Sequence, residues 1–245
     1  MIKTKLSERP LPLEELRQYW NPFPENTIKL MREIKDDDRV LDIGGWWKPF
    51  NRADTVVDLK PYDTRGGGGS IETGTERFSK NSWFQMDVSS TPLPFPDKSF
   101  DFVVCSQTLE DLKDPVYLCK ELMRVGKKGY IETPSIWIEC QFGIDAPDES
   151  LNYPGYQQHR WFIDYEDNKV IFIPKLAYLS SFCFVDLKIV KDYVRNRRIW
   201  TSCLFWEGKF EVNEIFTSDI NNVVAYLTKY FVEFNYTKYQ KITLV

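Results

Sequence analysis

Hydrophobic positions in the first half of the chain fall into short continuous runs that polar, turn or helical segments separate. Runs of this length are typical of buried parallel strands. A helix is predicted after the fourth run, because Asp114 can cap it and Pro115 suits its first turn, and Lys127-Lys128-Gly129 is expected to end it. The predicted strands comprise residues 40–43, 53–59, 82–86, 100–105 and 130–133.

Two further helices are predicted before the first strand, at residues 13–20 and 27–34, with Asn21-Pro22-Phe23-Pro24 between them. They either cover a ligand pocket as a lid or pack against the edge of the sheet. Strands that alternate with helical or turn segments predict an α/β fold. The expected architecture is a Rossmann-like, doubly wound, mostly parallel sheet with helices on both faces.

The alternation ends near Pro134, where an aromatic, proline-containing insert begins that we expect on the substrate side. After it, residues 169–173, 184–190 and 199–206 resemble strands, and Glu207-Gly208 predicts a turn into residues 209–215. A helix over residues 218–234 closes the chain. We expect a single domain over residues 1–245, with N-terminal helices or lid at 1–36, a cofactor-binding core at 37–134, the insert at 135–167, and C-terminal strands and helix at 168–245.

The end of the first predicted strand carries an acid and two glycines, Asp42, Gly44 and Gly45. Because glycine has no Cβ, its backbone amides can approach a ligand closely at the carboxyl end of a parallel sheet. An ordinary strand-to-loop turn explains the same residues. Asp58 ends the second predicted strand and suits a ribose diol, or alternatively a helix cap or solvated strand end. The glycine run at 65–70 predicts a loop, since it lacks the Lys-Ser/Thr of a phosphate-binding loop.

Charge and composition narrow the class of ligand. Lysine and arginine total 32 against 36 acidic residues, so the net charge of -4 gives no electrostatic footprint for nucleic acid and no basic membrane patch. The first ten residues lack the apolar core of a signal peptide, which predicts a cytoplasmic protein. Five widely spaced cysteines favour reduced packing residues, and a single histidine argues against a histidine-rich metal centre, so no metal is predicted.

Several segments, in this order, resemble the class I S-adenosylmethionine-dependent methyltransferases, especially the small-molecule branch called type 11. The resemblance extends from about Arg39 to Pro134. Segments in the right order are more specific than any one of them. The strongest of these are Asp87-Val88, Leu93-Pro94-Phe95-Pro96-Asp97-Lys98-Ser99-Phe100-Asp101, Leu109-Glu110-Asp111-Leu112-Lys113-Asp114-Pro115 and Glu121-Leu122-Met123-Arg124-Val125.

The resemblance implies S-adenosylmethionine as the cofactor and assigns it a set of residues. Asp42, Gly44 and Gly45 would line its methionine end. Asp58 would hold the ribose hydroxyls. Asp87 and Val88 would contact the adenine. Ser106 and Gln107 would face the sulfonium.

The sequence departs from the family pattern in the glycine loop and after Glu110. Trp46 and Lys48 stand where the family often has glycine, so the loop is bulkier, and Trp46 is expected to form a wall of the site. Asp111 stands where the family often has histidine. His159, in the insert, is therefore the first candidate for a catalytic base. Glu110 and Asp111 are the alternative base or acceptor-orienting pair, while a structural histidine and a solvated loop explain the same residues.

The acceptor of the methyl group is expected to be a sugar, a glycan or another small hydroxylated metabolite, methylated on oxygen. Aromatic side chains of the insert offer flat faces for such ligands, although aromatic residues are more often core. A catalytically inactive methyltransferase-like binding protein is the alternative that the bulky Trp46 and the acid at Asp111 favour. An enzyme that uses a nucleotide sugar or a nicotinamide is the third, and the glycine spacing disfavours it.

Overall fold

The computed structural model describes residues 24–67, 75–140, 154–176, 201–215 and 220–233. From the first to the fifth strand, strands are separated by helical or turn segments, as the hydrophobic pattern predicts. The predicted helix at residues 13–20 and the predicted strand at 184–190 lie outside the described residues, as do residues 68–70 of the glycine run. The helices are α1 (Pro24–Glu33), α2 (Pro115–Val125), α3 (Ile136–Glu139) and α4 (Ile220–Glu233), and the strands are β1 (Val40–Ile43), β2 (Thr55–Asp58), β3 (Trp83–Gln85), β4 (Phe100–Ser106), β5 (Gly126–Pro134), β6 (Trp161–Glu166), β7 (Lys169–Pro174), β8 (Thr201–Glu207) and β9 (Glu211–Glu214).

The main sheet has six strands in the order β3-β2-β1-β4-β5-β8. The first five are parallel, and β8 pairs antiparallel with β5 at the edge. The order reverses direction between β1 and β4, which is the arrangement of a doubly wound fold. The predicted fold class is therefore confirmed.

Both faces of this sheet are covered, because successive residues of one strand enter different cores. Leu41 and Ile43 of β1 pack in a cluster that contains Leu118 and Leu122 of α2. Val40, from the same strand, packs in a second cluster with residues of α1 such as Leu30. The side-chain period of two residues along a strand explains this division, so α1 and α2 lie on opposite faces.

The end of α2 differs from the prediction. Its start agrees, since the Asp114 side chain accepts a hydrogen bond from the Tyr117 amide and Pro115 occupies the first turn. However, β5 begins at Gly126, so the lysines predicted to end the helix are already in the strand. A Cβ at Gly129 would lie 2.3 Å from the Val103 carbonyl oxygen, and this glycine allows the close approach of β4 and β5.

A second sheet has the strand order β6-β7-β9. The insert predicted at 135–167 contains β6, which pairs antiparallel with β7. After the predicted turn at Gly208, β9 pairs in parallel with β7 rather than with β8. Gly208, with a φ of +70°, adopts a left-handed conformation at the point where the chain passes from one sheet to the other.

Within the described ranges, no helix is both long and apolar enough to cross a bilayer.

Candidate functional site

The glycine turn lies where the sheet order reverses, at the carboxyl ends of β1 and β4. Gly44 has a φ of +78°, and a Cβ there would lie 1.8 Å from Oγ1 of Thr108, the residue that follows Gln107 after β4. Its amide donates to the carbonyl oxygen of Val57, 2.8 Å away. Both the backbone conformation and the space therefore require glycine, and ligands of open α/β folds bind in this crevice.

Asp42 is buried under this turn. Its Oδ2 accepts a hydrogen bond from the Phe50 amide at 2.8 Å, and a Cβ at Gly45 would lie 2.3 Å from the same oxygen. Burial raises the pKa of Asp42 to about 7, although the Phe50 hydrogen bond opposes the change and the nearby Asp58 adds to it. This carboxyl group therefore changes charge near neutral pH.

Asp58, at the end of β2, holds the loop in place. Its Oδ2 accepts from the Trp46 amide at 2.9 Å, and its Oδ1 accepts from the Lys60 amide at 2.7 Å. Burial raises the pKa of Asp58, against these two hydrogen bonds. Each oxygen has a second lone pair, so the carboxylate still has acceptor capacity for a ribose.

A cavity of about 230 Å³ opens beside the glycine turn. Five of the nine predicted cofactor residues line it. Its lining comprises Asp42, Gly44, Gly45, Trp47, Lys48, Ser106, Gln107, Glu132, Pro134, Ile138, Tyr156 and Thr201. The structure therefore joins the turn after β1 to the end of β4, as the sequence predicts.

The other four predicted cofactor residues lie outside the lining of this cavity. Trp46 is pinned by a hydrogen bond from its indole nitrogen to Oγ1 of Thr64, at 2.9 Å, and its neighbour Trp47 lines the cavity instead. Asp58 follows β2. Asp87 and Val88 follow β3, where Asp87 is exposed with a pKa lowered by hydrogen bonds from Ser89, and Val88 is buried in the core.

Glu132, in β5, is a residue of the cavity that the sequence reasoning missed. Its side chain is 1% exposed. Oε1 accepts hydrogen bonds from Ser106 Oγ at 3.2 Å and Gln107 Nε2 at 3.3 Å, while Oε2 accepts from Tyr130 Oη at 2.6 Å and Thr201 Oγ1 at 3.2 Å. An acid inside a predicted buried strand was the signal that could have found it, since buried charges are otherwise rare.

Gln107 has a φ of +52°, a region that few side chains other than glycine adopt. Its amide donates to the Glu132 carbonyl oxygen at 2.8 Å, which holds this conformation. Trp47 and Lys48, which follow the glycine turn, also line the cavity. Trp47 is 57% exposed, and a Cβ at Gly67 would lie 2.8 Å from its ring, so the indole rests against the start of the glycine run.

The three predicted catalytic residues are brought together, on the side of the cavity where α3 lies. His159 Nδ1 is 2.6 Å from Glu139 Oε1, and its Nε2 is 3.7 Å from Asp111 Oδ1. Lys175 Nζ binds the other oxygen of Glu139 at 2.5 Å. Glu110 joins this group through its backbone. Its carbonyl oxygen accepts a hydrogen bond from the amide of Arg160, the neighbour of His159, at 2.7 Å.

None of these three residues lines the cavity, but the cluster adjoins it. The rings of Tyr156, which lines the cavity, and His159 have centroids 4.7 Å apart. Glu110 is 1% exposed, and its Oε2 has no hydrogen-bond partner among the described residues. Burial raises the pKa of Glu110 well above its usual value, and the neighbouring carboxylates of Asp111, Glu139 and Glu132 raise it further. Burial also raises the pKa of Asp111, although His159 opposes the change.

Comparison with known families agrees with this geometry. Residues 67–131 match a family model described as a methyltransferase domain. The match includes β3, β4, α2 and most of β5. The resemblance to class I S-adenosylmethionine-dependent methyltransferases is confirmed. The cofactor that this resemblance implies is S-adenosylmethionine, and the cavity fits it, because Asp42 and the glycine turn line the cavity at the carboxyl end of the parallel sheet.

Individual relatives are distant. An uncharacterized methyltransferase of Schizosaccharomyces pombe is 28% identical over 127 residues, which are 45% of this chain and 44% of the relative. The solved structure of the YcgJ protein from Bacillus subtilis is 23% identical over 45% of this chain and 50% of that one, with a TM-score of 0.34. An S-adenosylmethionine-dependent methyltransferase from Mesorhizobium loti is 18% identical over 47% and 56%, also at 0.34. The chain thus spans about half the length of these relatives, and the strand order of the sheet establishes the fold.

Within the described residues, no group of three or more histidine, cysteine or acidic side chains is arranged to hold a metal ion.

Proposed function

We propose that this protein transfers a methyl group from S-adenosylmethionine to a hydroxyl oxygen of a sugar, a glycan or another small hydroxylated metabolite. The observation that carries the proposal is the cavity, which unites the glycine turn after β1 with Ser106 and Gln107 after β4. The acceptor class is supported by the aromatic walls of that cavity, Trp47 and Tyr156, which offer faces on which a sugar ring can pack.

In the proposed arrangement, Asp42 and the backbone of the glycine turn line the methionine end, and Asp58, Asp87 and Val88 bind the nucleoside. S-adenosylmethionine supplies an electrophilic methyl group on a sulfonium. The protein positions the acceptor oxygen in line with the carbon–sulfur bond, which supplies most of the catalysis. The new carbon–oxygen bond forms as the carbon–sulfur bond breaks, and sulfur keeps the electron pair.

The hydroxyl proton needs a base, and we propose His159 for that role. Support comes from Glu139, which fixes the ring through Nδ1, and from Tyr156, which connects the ring to the cavity wall. Glu110 and Asp111 would orient the acceptor. Asp111 is 45% exposed beside Nε2, so it offers a path for the proton to solvent.

Cofactor binding is tested by calorimetric titration of S-adenosylmethionine into the protein and into Asp42→Asn. The substitution keeps the side-chain shape but removes the carboxylate under the turn, so we expect affinity to fall by about tenfold, the weight of one charged hydrogen bond. Asp101→Asn is the matched control, because Asp101 lies at the opposite end of β4. Equal affinity in all three proteins would contradict the assignment of Asp42.

Catalysis is tested by transfer of a labelled methyl group to a panel of sugars, glycans and hydroxylated metabolites. If His159 is the base, His159→Gln should lower turnover about 100-fold, as loss of a general base does, while cofactor affinity is kept. Unchanged turnover would remove His159 from the mechanism. Label found only in protein or nucleic acid would contradict the acceptor class.

A methyltransferase-like binding protein without catalysis is the second candidate. The observation that favours it is Lys48, a cation that lines the same cavity in a turn where the family often has glycine. Absence of S-adenosylmethionine binding by the wild-type protein would make this candidate the leading one.

A further inference from the structure

Glu132 carries a negative charge into the cavity wall. Four side chains donate hydrogen bonds to it, which matches the roughly four lone-pair positions of an ionised carboxylate. Two of the donors, Ser106 and Gln107, end β4 at the place where the fold receives its ligand. With 1% of its surface exposed, this carboxylate has little water to screen it.

Lys48 supplies the opposite charge in the same cavity. Both residues line it, one on the turn after β1 and the other on β5. Burial lowers the pKa of Lys48, and attraction to Glu132 opposes that change. The two charges therefore offset one another while the cavity holds no other ion.

We propose that Glu132 makes the cavity select a cationic ligand over a neutral one of the same shape, and that Lys48 is the built-in counter-ion that such a ligand replaces. The inference rests on the proposed function, since S-adenosylmethionine has a positive sulfonium and its product, S-adenosylhomocysteine, has a neutral thioether. Glu132 would then favour the reactive form of the cofactor and release the spent form. Lys48 would set how strong that preference is.

The reasoning assigns opposite effects to the two residues. Removing the negative charge with Glu132→Gln should weaken S-adenosylmethionine about tenfold and S-adenosylhomocysteine less than twofold, since only the first ligand loses an attraction. Removing the competing cation with Lys48→Met should strengthen S-adenosylmethionine about tenfold. A merely structural role for Glu132 would change both affinities by the same factor.

The experiment is calorimetric titration of both ligands into wild type, Glu132→Gln and Lys48→Met at low and high salt. Glu121→Gln is the matched control for the first variant, because Glu121 is a similarly buried acid that pairs with Arg124 away from the cavity. Lys128→Met, in β5, is the control for the second. Because the carboxylate is buried, the preference for the charged ligand should persist at high salt in wild type, and it should be absent in Glu132→Gln.

An equal loss of both affinities in Glu132→Gln, or no gain in Lys48→Met, would overturn the inference and leave the proposed function standing. If neither wild type nor Lys48→Met binds either ligand, both the inference and the proposed function fail. If only Lys48→Met binds, the counter-ion role is supported and the wild-type protein is the non-catalytic binding protein. A gain of binding in Lys128→Met would instead point to a general effect of net charge.

Discussion

Glu132 and Glu110 are equally buried, each 1% exposed, yet their surroundings differ completely. Glu132 receives hydrogen bonds from four side chains at the cavity. Glu110 has an Oε2 without a partner among the described residues, and three other carboxylates stand near it. Burial alone therefore does not decide the state of an acid, because the donors around it can compensate for lost water.

The contrast separates two kinds of buried acid at one site. The Glu132 carboxylate is built into the cavity wall with its partners in place, as expected for a fixed charge. The Glu110 carboxyl has an oxygen without a partner among the described residues, and burial together with the nearby carboxylates raises its pKa. The acid at the cavity thus has its hydrogen-bond partners in place, whereas the acid near His159 does not.

The largest expected effect is on stability when each acid is replaced by leucine. Glu132→Leu leaves the hydroxyl groups of Tyr130, Ser106 and Thr201 without their hydrogen-bond acceptor. We therefore expect the free energy of unfolding to fall by about 4 kcal/mol, as when a buried charged partner is removed. Glu110→Leu removes an unsatisfied oxygen, so it should raise the free energy of unfolding by about 1 kcal/mol. Urea denaturation followed by circular dichroism measures both.

Equal losses in the two variants would break the comparison, since they would show that Glu110 has partners as valuable as those of Glu132. Glu110→Gln serves as a control that keeps the shape of the neutral acid. It should leave stability at acidic pH nearly unchanged.

A smaller effect is expected in the dependence of stability on pH. Asp42 and Glu110 both have folded-state pKa values above their unfolded values, so the folded protein binds more protons. Their contribution to stability is fully present below about pH 4. That of Asp42 is lost as pH rises through about 7, and that of Glu110 is lost as pH rises through its raised folded-state pKa. Each group should lower the free energy of unfolding by up to about 1.4 kcal/mol per pH unit in its window.

Urea midpoints between pH 4 and 8 test this sign. Asp42→Asn and Glu110→Gln should each flatten the decline, and the double variant should flatten it most. If the stability of the wild type instead rises between pH 5 and 7, and neither substitution changes its pH dependence, both acids are ionised in the folded protein.

Local pattern was enough to predict the main sheet, because each buried strand and the Asp114 cap have a signal within a few residues. In the second sheet, β7 was predicted at residues 169–173, but its pairing was not. The pairing of β9 with β7 instead of β8 is decided by contacts across the chain, and only Gly208 marks the change of direction. Strand existence is a local property, whereas the choice of partner is not.

The same difference between local signals and long-range contacts explains which site residues were predicted from the sequence. Asp42, Gly44 and Gly45 adjoin one another, so the glycine turn could be predicted from a short motif. The importance of Glu132 depends on Thr201, 69 residues away. The choice of Trp47 rather than Trp46 as a wall depends on the hydrogen bond from Trp46 to Thr64, a contact that no motif encodes.

The partners of Glu132 also reach back to the first described helix. Asn26 Nδ2 donates to Tyr130 Oη at 2.9 Å, and Tyr130 in turn donates to Glu132. The recognisable methyltransferase segment, residues 67–131, stops one residue before Glu132 and contains neither Asn26 nor Thr201. Glu132, Asn26 and Thr201 thus lie outside the segment that carries the family resemblance, so the charge of the cavity wall cannot be read from that segment alone.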